Sequence, residues 1–332
     1  MSLPLLDIRG LTVTVPTRDG ERMAVSNVDF AVDRGEVVGL VGESGSGKSL
    51  SMLAVMGLLP RQLHVSGSIR FDGVEICGAP ERQMRALRGG RVAMVFQDPM
   101  TALNPVKTIG TQISEMIRLH NPRLGRSEVK EKALALLDAV AIPAPGRRFD
   151  QYPHEFSGGM RQRVVIAIAI ANDPDLLIAD EPTTALDVTI QAQIMDIFAR
   201  LREERGMAVV LITHDLGLVA GLADRMSVLY AGRIAERGPV GPVFAAPRHP
   251  YTAGLLAAVP SIDDVAERLY AIPGTPPSRD DLLPGCAFAP RCDFAVPLCR
   301  TCEPALARFG SAIVACHRAE ELSLTDLLRK GT

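Results

Sequence analysis

The sequence predicts an α/β protein with a mostly parallel sheet, an antiparallel β opening, a helical insert and a small irregular C-terminal module. Three observations predict it. Residues 42–49 (GESGSGKS) stand between a short apolar run, 37–41, and a helical stretch, 50–59, which reads as strand–loop–helix. Further short apolar runs at 92–96, 176–179 and 209–212 each end at a polar or acidic residue. Buried strands with polar residues gathered at their C-terminal ends are the pattern of a parallel sheet whose site lies at that edge. After about residue 245 the composition shifts. Prolines 247, 250, 260, 273, 276, 277, 284 and 290 break any long helix there.

The elements follow in order. Residues 5–15 alternate and are rich in Val, Leu and Thr, the signature of a strand. Arg18-Asp19-Gly20-Glu21 is a turn, residues 23–32 the returning strand, and Asp33-Arg34-Gly35-Glu36 a second turn. Between 99 and 156 strand signals fade. Residues 127–140 carry apolar side chains at 129, 133, 134, 136, 137 and 140, with Ser127 as N-cap and Glu128 in the first turn, so a helix is expected there. It belongs to a helical insert of about residues 100–165. The 332 residues suffice for a sizeable core and two folding units. The expected division is 1–245 and 246–332. No internal repeat or low-complexity tract is present.

Composition narrows the function classes. Hydrophobic residues make up 47%, charged residues 22%, and Trp is absent, the profile of an ordinary soluble α/β protein rather than a disordered chain. A formal net charge of -2 lacks the gross basic excess of a nucleic-acid binder. The longest clean apolar run, 164–171, is far too short to cross a bilayer. The opening MSLPLLDIRG has no positively charged stretch before an apolar core and does not read as a signal peptide. A cytosolic chain that reaches a membrane only through a partner is expected. Cys77 stands alone and is expected to be a buried small hydrophobe, while Cys286, Cys292, Cys299, Cys302 and Cys316 crowd the tail. In a reducing cytosol such a cluster points to a metal or cofactor before disulfides. Arg82, Arg85, Arg88 and Arg91 recur at threefold spacing, the pattern of a solvated helix face.

The chemistry begins at the glycine-rich loop. Residues 42–49 fit G-x-x-x-x-G-K-[ST], a phosphate-binding loop. Gly42, Gly45 and Gly47 let the backbone curl, so that its N–H groups, including that of Ser44, face a phosphate. The following helix presents its positive end to the same anion. Lys48 is expected to neutralise the β- and γ-phosphates and Ser49 to ligate Mg²⁺. Residues 176–181 (LLIADE) deliver two carboxylates at a strand end. Asp180 is the expected magnesium ligand, and Glu181 the group that positions and polarises the attacking water. The fold this implies is a RecA-like P-loop NTPase core.

Phe156-Ser157-Gly158-Gly159-Met160-Arg161-Gln162 opens the apolar stretch 164–171. It resembles the signature motif of ABC transporter ATPases. Gln97 resembles the Q-loop glutamine, Ala185-Leu186-Asp187 the D-loop and His214 the switch histidine, all in the family's order over residues 1 to about 245. The resemblance implies that Ser157, Gly158 and Gly159 form a second anion cradle for the ATP of another subunit, so that two cassettes close around two nucleotides. It implies that Gln97 senses the γ-phosphate and magnesium, that His214 contacts the γ-phosphate and supports Glu181, and that Asp187 reaches across the dimer. The helical insert is where family members meet a membrane subunit. One departure stands out. Many relatives stack adenine on an aromatic residue near the first strands, but residues 11–23 hold no Phe, Tyr or Trp, so adenine is expected to rest elsewhere, near 15–22.

The tail resembles that of peptide and nickel importer ATPases of the oligopeptide/dipeptide-permease type. The residues that carry this are Arg248-His249-Pro250-Tyr251-Thr252, Leu255-Leu256, Ile272-Pro273-Gly274-Thr275-Pro276-Pro277 and Gly285-Cys286…Pro290-Arg291-Cys292. Met160 also fits that branch. The branch implies uptake of di- or oligopeptides, with nickel or glutathione as alternative cargo. It implies a second cassette, often a different chain, two membrane permease subunits and an external binding protein, with the chain held at the cytoplasmic face of the inner membrane. An ABC-type ATPase acting on nucleic acid or ribosomes is the alternative from another class. Cys286-x5-Cys292-x6-Cys299-x16-Cys316 can hold an iron–sulfur cluster, or Zn²⁺ with Cys302 or His317, or remain reduced thiols. Some members of the branch carry a [4Fe–4S] cluster at such cysteines.

Overall fold

The computed structural model describes residues 3–17, 20–184, 186–259, 271–277 and 284–324. Arg18 and Asp19 of the first expected turn, Ala185 of the expected D-loop and Pro260 lie outside the described residues. The chain opens with strands β1 (Leu6–Thr17), β2 (Gly20–Val32) and β3 (Val37–Val41), then helix α1 (Lys48–Val55), β4 (His64–Phe71), β5 (Val74–Glu75), α2 (Glu81–Leu87) and β6 (Val92–Val95). Helices α3 (Pro99–Ala102), α4 (Ile109–His120), α5 (Arg126–Ala139), α6 (Pro145–Arg148) and α7 (Gly158–Ala169) follow. Next come β7 (Leu176–Asp180), α8 (Val188–Arg205), β8 (Ala208–Thr213), α9 (Leu216–Leu222), β9 (Arg225–Tyr230) and β10 (Arg233–Pro239). The tail holds α10 (Val240–Ala245), α11 (Pro250–Ala257), α12 (Pro297–Thr301), β11 (Ala307–Phe309) and β12 (Ala312–Val314).

The chain divides into two units. The first comprises Met1–Ala31, Val37–Gly78 and Thr213–Thr332. It contains the antiparallel sheet β2-β1-β4-β5. In it β1 pairs β4 from Leu6↔Phe71 to Thr14↔His64, with an irregularity between Arg9 and Thr12. It also contains the strand order β11-β12-β10-β9-β3. There β3 and β9 run parallel (Val38↔Arg225 to Val41↔Val228), while β10 is antiparallel to both β9 and β12. All five residues of β3 are buried, which explains its unbroken apolar run. Strand β9 turns into β10 over Ala231 and Gly232, both at positive φ (47 and 79°), the conformation a two-residue hairpin loop demands.

The second unit comprises Val32–Glu36 and Ala79–Ile212. Its strands β8, β7 and β6 run parallel, with Leu176 paired to Ala208 on one side and to Val92 on the other. Every residue of β6, β7 and β8 is buried. The expected helical insert is present as α3 to α6. Helix α4 buries Ile109, Ile113 and Ile117, and α5 buries Val129, Ala133, Leu136 and Leu137, the i, i+4, i+8 stripes of two helices packed face to face. The start of α5 differs from expectation. Gly125 rather than Ser127 takes the cap position, and its N–H donates to Glu128 Oε2 at 2.7 Å. Ser127 already lies in the first turn and donates to Glu131 instead. Arg85 and Arg88 pair with Glu81, and Arg91 with Asp175, but α2 ends at Leu87, so of the spaced arginines only Arg82 and Arg85 lie on the helix and no single helix face carries all four. No helix among the described residues is long and apolar enough to cross a membrane.

Candidate functional site

The glycine-rich loop joins β3 to α1 in the first unit. Gly42 sits at φ 148°, and a Cβ there would come within 2.2 Å of the Leu229 carbonyl oxygen. Gly47 caps α1 at φ 102°, with the Ala24 carbonyl oxygen 3.2 Å from where its Cβ would lie. These positions accept only glycine, which lets the loop lie flat on its neighbours. Ser44 and Gly45 are exposed at the crown. The β9–β10 hairpin supports the loop from below: the Gly232 N–H donates to Ser46 O and the Ser26 N–H to Gly232 O. Because Gly47 turns left-handed, α1 begins at Lys48, two residues earlier than expected. Lys48 is buried and folds back on the loop, donating from Nζ to Gly42 O (2.7 Å), Glu43 O (2.9 Å) and Ser46 Oγ (3.4 Å). Ser49 lies half-buried in the same first turn. An ammonium and a row of helix-start amides gathered at one loop are chemically an anion cradle.

The second unit carries the carboxylates. Asp180 ends β7 and is buried, its register partner Ile212 on β8. Glu181 follows at φ 47°, a left-handed conformation that costs a non-glycine residue about 1–3 kcal/mol and concentrates at functional sites. Its N–H is tied to Ile212 O at 2.9 Å, which turns the side chain out of the strand. Two donors meet one of its oxygens. Gln97 Nε2, just past the end of β6, and Thr184 Oγ1 each lie 2.9 Å from Glu181 Oε2. Sequence reasoning missed Thr184; the signal available was a hydroxyl three residues past a strand-end glutamate, within hydrogen-bond reach across one turn.

In the same unit Ser157 caps α7, its Oγ accepting from Met160 N–H at 3.3 Å. Ser157 and Gly158 are exposed at the helix start. Gly159 is buried beneath them, where a Cβ would sit 2.7 Å from Ile190 Cγ2, so only glycine lets α7 approach α8 so closely. Asp187 caps α8, accepting from Ile190 N–H at 2.9 Å, a local task that the family resemblance did not suggest. His214 is exposed after β8 in the first unit, and Asp215 beside it caps α9.

The C-terminal region belongs to the first unit. His249 is buried and caps α11, with Nδ1 accepting from Tyr251 N–H at 3.0 Å. Burial pushes its pKa down to about 4, so it stays neutral. Glu236, fully buried on β10, accepts from the N–H groups of Arg248 and His249, and burial raises its pKa. Tyr251 reaches the phosphate loop, its Oη accepting from Glu43 N–H at 2.8 Å. Arg291 pairs bidentately with the Glu43 carboxylate at 2.7 and 3.0 Å.

The four expected cysteines converge. Cys286, Cys292, Cys299 and Cys316 line one cavity with His317, and its volume of about 20 Å³ gives room for about one water. Cys302 is exposed and stands apart. Burial pushes the Cys292 thiol up to about 12 and raises Cys286 and Cys316. Among the described residues no group of three or more His, Cys, Asp or Glu side chains is arranged to hold a metal ion. The iron–sulfur and zinc expectations at Cys286, Cys292, Cys299 and Cys316 are therefore not supported by the arrangement of these side chains. Cys77 is half-buried rather than buried, because it follows the edge strand β5, whose two residues are exposed.

The chain is similar to known proteins along most of its length. The ABC transporter family matches residues 25–184. The family "Oligopeptide/dipeptide transporter, C-terminal region" matches residues 235–299. The chain is 53% identical, over 99% of its length, to the oligopeptide transport ATP-binding protein OppD of Mycobacterium tuberculosis, and covers 55% of that protein. The chain thus spans about half the length of that relative and of its Mycobacterium bovis counterpart. It is 50% identical to a putative peptide import ATP-binding protein of Brucella abortus, with 94% of each chain covered. Among solved structures, a dimeric bacterial ABC transporter cassette superposes with a TM-score of 0.64 at 28% identity, covering 71% of this chain and 98% of that one. A second dimeric cassette structure, a post-hydrolysis state bound to ADP and Pi, gives the same TM-score at 27% identity. The fold is that of an ABC cassette, and the chain belongs to the ABC transporter ATP-binding family, in the branch that carries the oligopeptide/dipeptide transporter C-terminal region.

Proposed function

We propose that this chain is the ATP-binding and ATP-hydrolysing subunit of a peptide-importing ABC transporter. The observation that carries the reading is the loop at 42–47. Two glycines that no other residue can replace hold it against the hairpin, and Lys48 lies folded at the head of α1. The names of the Mycobacterium and Brucella relatives support peptide import. Gly42, Ser44, Gly45, Gly47, Lys48 and Ser49 bind the phosphates, and Lys48 exchanges its bonds to the Gly42 and Glu43 carbonyls for phosphate oxygens. Ser49, Gln97 and Asp180 offer hydroxyl, amide and buried carboxylate oxygens, the hard donor set Mg²⁺ takes; when bound, the ion offsets charge on the phosphates. Glu181, oriented by Gln97 and Thr184, accepts the proton of the attacking water. His214 supports the γ-phosphate. Ser157, Gly158 and Gly159 at the start of α7 hold the nucleotide of a second cassette, in line with the dimeric relatives, and Asp187 faces that partner.

The working assembly joins the chain, as a peripheral subunit at the cytoplasmic face of the membrane, to a second and different cassette, two permease subunits and an external binding protein. The cassette proper ends near residue 245 and the tail spans 246–332. The test is uptake of labelled di- and oligopeptides, with Ni²⁺ and glutathione as comparison cargoes, in cells lacking the chain and complemented with it. Loss of peptide uptake restored by the wild-type chain but not by Lys48→Ala is expected. Unchanged peptide uptake with lost nickel or glutathione uptake would reassign the cargo, and co-purification with ribosomes or DNA instead of permeases would overturn the transport reading. A second reading concerns the tail: a [4Fe–4S] cluster that loads by opening the thiol cavity, favoured by the convergence of those four cysteines on one space. Anaerobically purified protein would then carry iron and a brown colour that Cys292→Ser abolishes; iron at background level removes this reading.

A further inference from the structure

One residue of the phosphate loop is claimed from outside it. Glu43, directly after Gly42, has its N–H bonded to Tyr251 Oη and its carboxylate gripped by both arms of the Arg291 guanidinium. Its carbonyl receives Lys48 Nζ. Arg291 is itself fixed: its side chain is only 5% exposed, Nε donates to Pro273 O at 2.8 Å, and Nη1 lies 3.3 Å from Tyr230 Oη. The rings of Tyr230 and Phe288 lie 5.8 and 5.9 Å from the guanidinium carbon. Tyr251 is fully buried and packs against the same two rings. A hydrogen-bond network inside a cage of aromatics thus converges on a single loop residue.

The chemistry of that residue makes the arrangement informative. A carboxylate beside a phosphate cradle repels the ligand the cradle is built for. A bidentate guanidinium cancels that charge and fixes the carboxylate in one direction, away from free rotation. We propose that Arg291 and Tyr251, in the C-terminal region, are positioning residues for nucleotide binding: they neutralise Glu43 and hold the phosphate loop in its binding conformation. The inference rests on the reading of the loop as the ATP site. It gives the C-terminal region a task in nucleotide affinity that is separate from its thiols. It also makes the position of the 289–291 turn, next to Cys292, a setting on the grip of the loop.

The test uses the full chain and a fluorescent ATP analogue, with the corresponding ADP analogue alongside. Arg291→Met leaves Glu43 charged and unpaired; affinity for the ATP analogue is expected to fall about tenfold, and less for ADP, because repulsion scales with phosphate charge. The deficit shrinks as salt rises from about 50 to about 500 mM, as a screened charge effect must. Glu43→Gln placed in the Arg291→Met background removes the uncompensated charge and restores most of the affinity. Arg291→Lys, which keeps the charge and loses the fork, falls between. Tyr251→Phe leaves the Glu43 N–H unpaired and weakens both nucleotides alike, by about threefold to tenfold. If Arg291→Met proves unstable, Arg291→Gln, whose amide can still donate to the carboxylate, takes its place, and the difference in affinity between that variant with and without Glu43→Gln decides the matter. Equal affinities in wild type, Arg291→Met and the double variant overturn the proposal. So does a loss that neither salt nor Glu43→Gln relieves, which would mark a purely structural role. A wild-type chain that binds no ATP would instead defeat the reading of the loop.

Discussion

Replacing Glu181 by Gln separates chemistry from architecture more cleanly than any other single change. The carboxamide is isosteric and its oxygen still accepts, so the 2.9 Å bonds from Gln97 Nε2 and Thr184 Oγ1 survive. Each falls from a charge-assisted bond worth about 1.5–3 kcal/mol to a neutral one of about 0.5–1.5 kcal/mol. The backbone bond of residue 181 to Ile212 O, which holds the left-handed turn, does not involve the side chain. Stability should therefore fall by about 2–3 kcal/mol for the two bonds together. The proton acceptor, in contrast, is gone, and general-base catalysis is worth about 10²–10⁴-fold, or about 2.7–5.5 kcal/mol of barrier. Phosphate release under steady state, with the chain in its transporter complex, should fall by that factor while ATP affinity holds within about threefold. Dimers should accumulate in ATP, read by light scattering after gel filtration. Thr184→Ala and Gln97→Ala, which each remove one orienting donor, should cost about tenfold. If the Glu181→Gln variant kept more than about a tenth of wild-type turnover, that result would falsify the assignment of the base and leave the rest of the site standing.

Other consequences are as concrete. Gly42→Ala drives a Cβ to 2.2 Å from the Leu229 carbonyl oxygen, whereas Gly45, at φ 78°, has nothing within 4 Å of the same position. Nucleotide binding should vanish in the first and survive in the second, which loses only about 1 kcal/mol of strain in urea unfolding; equal behaviour of the two would refute the close-approach argument. His249, neutral in the fold with its pKa pushed down from 6.5 to about 4, binds a proton more readily when unfolded. Stability from this group is thus full above about pH 6.5 and is lost as pH falls toward 4, at up to about 1.4 kcal/mol per pH unit. Glu236, raised by burial, works in the opposite sense, so His249→Asn, which can still cap α11, should make the acid loss between pH 6.5 and 4 shallower in urea titrations. With Cys292 pushed up to about 12, its thiolate fraction at pH 8 is about a thousandfold below that of an ordinary thiol. Iodoacetamide should then label exposed Cys302 long before Cys292 in chelator-treated protein, as mass spectrometry of tryptic peptides would resolve.

The strands that hold the site were legible because they are buried on both sides. Runs such as 176–179 and 209–212 have no polar residue to spare, and they form β7 and β8 within a residue of the expected limits. Strands β4 and β5 were not, because most of their residues lie in water and offer too little alternation to read. Helix α8 was missed for a related reason. Only Ile194, Ile197, Phe198 and Leu201 of its 18 residues are buried, a short stripe with no buried residue in the first six positions of the helix. Helix α4 carries a clean Ile109, Ile113, Ile117 stripe and could have been found from periodicity.

The site shows the same division at the scale of single side chains. Gly42 and Gly47 announce themselves, because a backbone at positive φ pressed on a carbonyl leaves one residue type to choose from. Thr184, Tyr251 and Arg291 do not. A hydroxyl or guanidinium has many possible partners, and which one it takes depends on where the chain returns, 208 residues later for Tyr251 and 248 for Arg291. The tail motif Arg248-His249-Pro250-Tyr251-Thr252 therefore read from sequence as a branch marker without a task. In the fold its first four residues act: Glu236 receives the N–H groups of Arg248 and His249, the neutral imidazole caps α11, Pro250 starts the helix, and the first turn delivers Tyr251 to the Glu43 N–H. Motifs that bind a ligand's charge can be read from residue types alone, because the ligand's chemistry dictates them. Motifs that position those residues are dictated by the fold, and become readable only once the chain has closed on itself.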